Sequence, residues 1–89
     1  MSGFVYILIS LKCGEYYIGS ASNVEMRLSQ HNSGSVKATE LKRPYRLVFQ
    51  QDFSNTKIAG KVERRIKSWK RKDFIEKIIK AGKIKFVDD

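Results

Sequence analysis

Eighty-nine residues suit one domain, and a chain of that size buries only about 60% of its unfolded surface, which leaves no room for a second module. An apolar fraction of 42% argues against a disordered chain, while the single Cys13 and single His31 exclude an internal disulfide and make structural zinc a poor reading. Lys and Arg number 18 against 9 Asp and Glu, and the net charge of +9 points to a polyanion partner.

That charge is unevenly spread. Residues 1–36 hold two basic and two acidic side chains, whereas residues 37–89 hold sixteen basic and seven acidic and so carry the whole excess. Nucleic acid, DNA ahead of RNA, is the expected partner, with an acidic protein as the competing reading. No obligate protein partner is implied. The longest apolar run, Phe4 to Leu11, is too short to span a bilayer and has no signal-peptide flanks. A cytoplasmic protein with no membrane association is expected.

Residues 4–11 and 16–20, rich in Val, Ile and Tyr, read as two β-strands, and Lys12-Cys13-Gly14-Glu15 supplies the turn between them. A loop centred on Cys13 and Gly14 sets Tyr6 opposite Ala21 and Ile9 opposite Ile18. The parity of that register puts Tyr6 and Tyr17 on one face, and Val5, Ile7, Ile9, Tyr16 and Ile18 on the other as a core layer. Ser22 and Glu25 have capping-box spacing, and Asn32 with Gly34 offers a stop, so a helix is expected from about Asn23 to Asn32. Its inward stripe from Val24 runs through Arg27, Leu28 and His31, placing polar groups where apolar ones belong. Such violations of local pattern are where functional sites are expected.

A polar basic loop over 33–44 ends at Pro44, and Tyr45 to Phe53 reads as a third strand. The next helix starts near Ser54 or Asn55 and carries Ile58, Ala59, Val62, Ile66 and Trp69 at helical spacing, with Glu63 the only acid between Asp52 and Asp73. A last amphipathic helix is expected to be capped by Asp73 and to run to Gly82, with the tail from Lys83 a short strand or frayed. The fold class is therefore α/β of the α+β type, a small central antiparallel sheet of about three strands flanked by helices.

Tyr6, then Tyr17-Ile18-Gly19, then Arg27, His31 and Glu63 stand in the order and spacing of the GIY-YIG nuclease family, which this chain resembles over almost its whole length. The likeness extends to Leu28-x-x-His31-Asn32-Ser33-Gly34, to Arg43-Pro44, and to Glu63-x-x-Ile66-Lys67-x-Trp69-x-Arg71. The family's first tripeptide, Gly-Ile-Tyr, appears here as Phe4-Val5-Tyr6, which keeps the strand and the tyrosine without the glycine.

The resemblance implies a metal-dependent endonuclease that hydrolyses phosphodiester bonds, in DNA repair or processing, with Mg²⁺ or Mn²⁺ as cofactor; the alternative is a domain of the same fold that binds nucleic acid without cutting it. Such chemistry needs a water in line, a proton acceptor and a cation on the developing charge. By resemblance Glu63 is the metal ligand, against the alternative of an i, i+4 ion pair with Lys67. Arg27 is the phosphate clamp, against a snorkelling surface arginine. One of Tyr6 and Tyr17 is the general base and the other orients water or phosphate, against ordinary half-buried packing. The resemblance leaves their assignment open, and an unperturbed pKa of about 10 requires nearby cations in either case. His31 is a proton relay to a tyrosine, against a packing residue. Lys37, Lys42, Arg43, Lys61, Arg64, Lys67, Lys70 and Arg71 are candidate backbone contacts, against solvated charges.

Overall fold

The computed structural model describes residues 2–84. The elements are β1 (Gly3–Ser10), β2 (Tyr16–Ala21), α1 (Val24–Ser33), β3 (Tyr45–Phe53), α2 (Thr56–Trp69) and α3 (Lys72–Ala81). They form the expected three-stranded antiparallel sheet with three helices, in strand order β2-β1-β3. β1 is central and covered on both faces, which is why its apolar run has no polar alternation.

On one face Val5, Ile7, Ile18, Phe49 and Phe53 pack against Ala59, Val62 and Ile66 of α2, Ile78 of α3, and Ile84. Each fully buried aliphatic side chain there contributes about 1.5–3 kcal/mol. On the other face Tyr6 and Leu8 pack with Val24 of α1 and Tyr45 of β3, and Tyr17, Ala21, Leu28 and Leu47 close the layer. Among the described residues no helix is long and apolar enough to cross a membrane.

The hairpin register is shifted from expectation. Tyr6 faces Gly19 and Ile9 faces Tyr16, because the four-residue loop is centred on Lys12 and Cys13, not on Cys13 and Gly14. Gly14 takes the left-handed position of that loop, φ 77°, and its N–H donates to the Ser10 carbonyl. A slip of two residues preserves parity, so Tyr6 and Tyr17 still share a face. Buried Ser10 fixes the loop by accepting from the Lys12 and Cys13 amides while donating to the Lys42 carbonyl.

Two helix caps also differ from expectation. Asn23, not Ser22, caps α1 by accepting from the Met26 amide at 3.0 Å, and Gly34 at φ 85° ends the helix. Asn32 lies inside the last turn, where its amide exchanges two hydrogen bonds with the Tyr45 backbone and pins α1 to β3. Asn55 caps α2 by accepting from the Ile58 amide. Asp73 is not the cap of α3; it sits in the first turn and pairs with Arg71, whose guanidinium holds the carboxyl below its usual range. Ile84 is buried and outside any strand, and the rest of the tail, 85–89, lies outside the described residues.

Candidate active site

The site is built around what glycine leaves out. A Cβ on Gly19 would lie 2.4 Å from both Cζ and Oη of Tyr6, so the bare backbone of β2 is the shelf on which the Tyr6 ring rests. The phenol is 1% exposed and points at α1, where its hydroxyl meets Nε2 of His31 at 2.9 Å. Tyr17, two residues before the glycine on the same face, is half-buried; its ring lies 4.8 Å from that of His31 and 6.5 Å from that of Tyr6.

His31 is fully buried and bonded at both nitrogens, with Nδ1 2.7 Å from Oγ1 of Thr39. Thr39 Oγ1 donates to the Val36 carbonyl, so it offers His31 only a lone pair. That favours the tautomer in which Nδ1–H donates to Thr39 and Nε2 accepts the Tyr6 proton. Burial, and after it the charge of Arg27, lowers the His31 pKa and keeps the ring neutral. Burial pushes the Tyr6 phenol above its ordinary value, while Arg27 beside its hydroxyl pulls the other way. Arg27 is half-buried and held by a 2.8 Å hydrogen bond to Gln30 Oε1 one turn on.

Glu63 reaches the cluster from a different layer. Its helix packs on the opposite face of the sheet, and its Oε1 accepts from Ser20 Oγ at 2.6 Å, at the outer edge of β2. Its Oε2 pairs with Lys67 Nζ at 2.7 Å, and that ammonium also lies 5.1 Å over the ring of Tyr17. The five residues therefore meet around the β2 edge and do not share a single sheet face. Edge position explains it: among the described residues β2 has no further strand beyond it, and α1 and α2 both contact this strand.

Sequence reasoning missed four participants. Ser20 orients Glu63, Thr39 fixes His31, Gln30 holds Arg27, and Tyr45 packs its ring 6.2 Å from His31. Tyr45 faces this side because a β-bulge at Val48 shifts the register of β1 and β3 after Ile7, so that Ser10 faces Tyr45. Thr39 had no detectable signal, lying in an aperiodic polar loop. Ser20 adjoins the Tyr17-Ile18-Gly19 motif, and its alternation with Gly19 was readable.

The basic candidates divide. Lys42 pairs with Glu15, Lys67 with Glu63, and Arg71 with Asp73, with the Arg71 guanidinium also 4.4 Å from the Phe74 ring centroid. The Arg43 guanidinium lies over Gly34, where any Cβ would collide with it. Lys37, Lys61, Arg64 and Lys70 are exposed and in no ion pair among the described residues.

The chain as a whole is similar to several known proteins. A UPF0213 protein from Staphylococcus saprophyticus is 36% identical over 80 residues, covering 89% of this chain and 95% of that protein. One from Staphylococcus aureus is 40% identical over 73 residues, covering 79% and 85%. The solution NMR structure of a UPF0213 protein from Bacillus halodurans superposes with a TM-score of 0.56 at 31% identity, covering 92% of this chain and 87% of that one. The model of the GIY-YIG catalytic domain matches residues 2–78, nearly the whole described chain, and the protein belongs to the GIY-YIG family.

Proposed function

We propose that this protein is a metal-dependent endonuclease that hydrolyses nucleic-acid phosphodiester bonds at the β2 edge. The observation that carries the reading is the buried Tyr6–His31–Thr39 hydrogen-bond chain beside Tyr17 and Arg27, with Glu63 at the same rim. Packing alone gives no reason to bury polar groups, each of which loses solvation on leaving water. A chain that holds one phenol by one imidazole, next to a guanidinium, is organised for phosphate and proton chemistry.

The roles follow from exposure. Tyr17 is the phenol that meets solvent, and it takes the proton of the attacking water; Tyr6 is sealed behind it and orients the group through its bond to His31. Arg27, always charged, clamps a non-bridging oxygen. Glu63 is the residue that would hold Mg²⁺ or Mn²⁺, which supplies charge neutralisation at the phosphate when bound. The donor set fits a hard ion of that kind. The Glu63 carboxylate oxygens are hard donors, and Mg²⁺ is commonly held by one or two carboxylates, waters and substrate phosphate.

A second reading, binding without cleavage, is favoured by one fact: both Glu63 oxygens already have partners. Incubating the protein with labelled single- and double-stranded DNA and RNA, branched and nicked, with Mg²⁺, Mn²⁺ or chelator separates the two. Cleavage that chelator stops is expected; a bound but intact panel supports the second reading.

A further inference from the structure

We propose that Lys67 is a tethered counter-ion that occupies Glu63 until substrate phosphate draws it away, so that metal capture is coupled to nucleic-acid binding. The inference rests on the metal reading of Glu63 and concerns what controls that site.

The two partners of Glu63 are unequal. Ser20 holds Oε1 at 2.6 Å from the sheet edge, a short side chain on a rigid strand. Lys67 holds Oε2 at 2.7 Å from the end of a flexible stem. The Glu63 side chain is 17% exposed and that of Lys67 43%. The lysine is thus the member of the pair that can leave, and Ser20 keeps the carboxylate aimed when it does. Its ammonium already lies 5.1 Å over the Tyr17 ring, so the path off Glu63 leads across the phenol to the place where the phosphate is proposed to sit. Phosphate offers the ammonium a new anionic partner while Oε2 becomes free.

A dication and an ammonium on one carboxylate oxygen repel strongly, so each excludes the other. In the free protein Lys67 therefore competes with metal at Glu63, on a helix that has no other acid. A phosphate that binds Lys67 removes the competitor and adds ligand oxygens at the same moment. Binding of metal and of nucleic acid should then be mutually favourable, as linkage requires.

Mn²⁺ titration followed by loss of the free-ion electron paramagnetic resonance signal tests this without any cleavage. Lys67→Gln should bind Mn²⁺ on the order of tenfold tighter than wild type, and Lys67→Arg should behave like wild type. Lys57→Gln removes an exposed charge more than a turn away on α2, and its affinity should stay within about twofold of wild type. With a cleavage-resistant phosphorothioate oligonucleotide present, wild type should close the gap to Lys67→Gln. The proposal is overturned if Lys67→Gln binds no tighter than Lys57→Gln, or if the gap persists with oligonucleotide. Glu63→Gln identifies the other failure: if it binds Mn²⁺ as wild type does, the metal reading itself is wrong.

Discussion

Replacing Gly19 by alanine tests whether the glycine shelf positions the Tyr6 phenol. The added methyl would stand 2.4 Å from Cζ and Oη of Tyr6, well inside van der Waals contact. The ring has little room to yield, being 1% exposed and bonded to a His31 that is itself fully buried. Overpacking of this kind costs about 1–3 kcal/mol, which for a domain of this size lowers Tm by about 5–20 °C. Relief by tilting the ring would break the 2.9 Å bond to His31, and a misplacement of that order costs about a hundredfold in rate. Thermal melts and initial cleavage rates read the two effects separately. In a Tyr6→Leu background the shorter side chain leaves room for the methyl, and Gly19→Ala should then cost almost nothing in stability. A Gly19→Ala variant that melts within about 2 °C of wild type and cuts at the wild-type rate would refute the shelf.

Thr39→Val keeps the shape but leaves His31 Nδ1 buried without its partner, an expected loss of about 1–3 kcal/mol in chemical denaturation; an unchanged midpoint would show that Thr39 does not set the tautomer. The His31 pKa is lowered in the fold, so the unfolded chain binds the extra proton first. Its contribution is complete above about pH 6.5 and is lost as pH falls toward the folded value, by at most about 1.4 kcal/mol per unit. His31→Gln should flatten that slope, and parallel stability curves for the two proteins would contradict it. Nucleic-acid affinity should fall with log salt at about 0.7–0.9 per phosphate contact, and alanine at Lys61 or Arg64 should remove about one such increment each; a flat response would favour an acidic protein partner.

Periodicity and turn chemistry made the elements legible. β3 was read at its observed ends because Pro44 and the polar Ser54-Asn55 bracket an apolar run, and α2 was visible as a helix because five apolar positions recur at helical spacing. The face shared by Tyr6 and Tyr17 was readable because parity survives a slip of two residues, although the slip itself depended on which four residues closed the loop. The caps were misread where two side chains had similar credentials: Asn23 stands beside Ser22, and Asp73 is drawn to Arg71. Arg27 and His31 were visible as polar residues on an apolar stripe. Thr39 and Tyr45 were not, because a loop contact and a bulge are set by tertiary packing and leave no period in the chain. The approach of Glu63 around the sheet edge was hidden for the same reason, since helix spacing fixes the face of a helix but not the layer it enters.

The central claim is that one carboxylate separates cutting from binding. Affinity on this account comes from dispersed cations such as Lys61 and Arg64, whereas metal capture depends on Glu63, and an amide replaces a carboxylate poorly at a hard cation. The direct measurement is cleavage and equilibrium binding of one substrate by wild type and Glu63→Gln in the same Mg²⁺ or Mn²⁺ buffer. Glu63→Gln should lose cleavage in that buffer, and with chelator added, so that bound metal no longer aids wild type, it should bind as tightly as wild type or slightly tighter, having shed a negative charge from a basic helix. Equal cleavage by the two proteins would contradict the account and return Glu63 to the status of an ion-pair partner for Lys67.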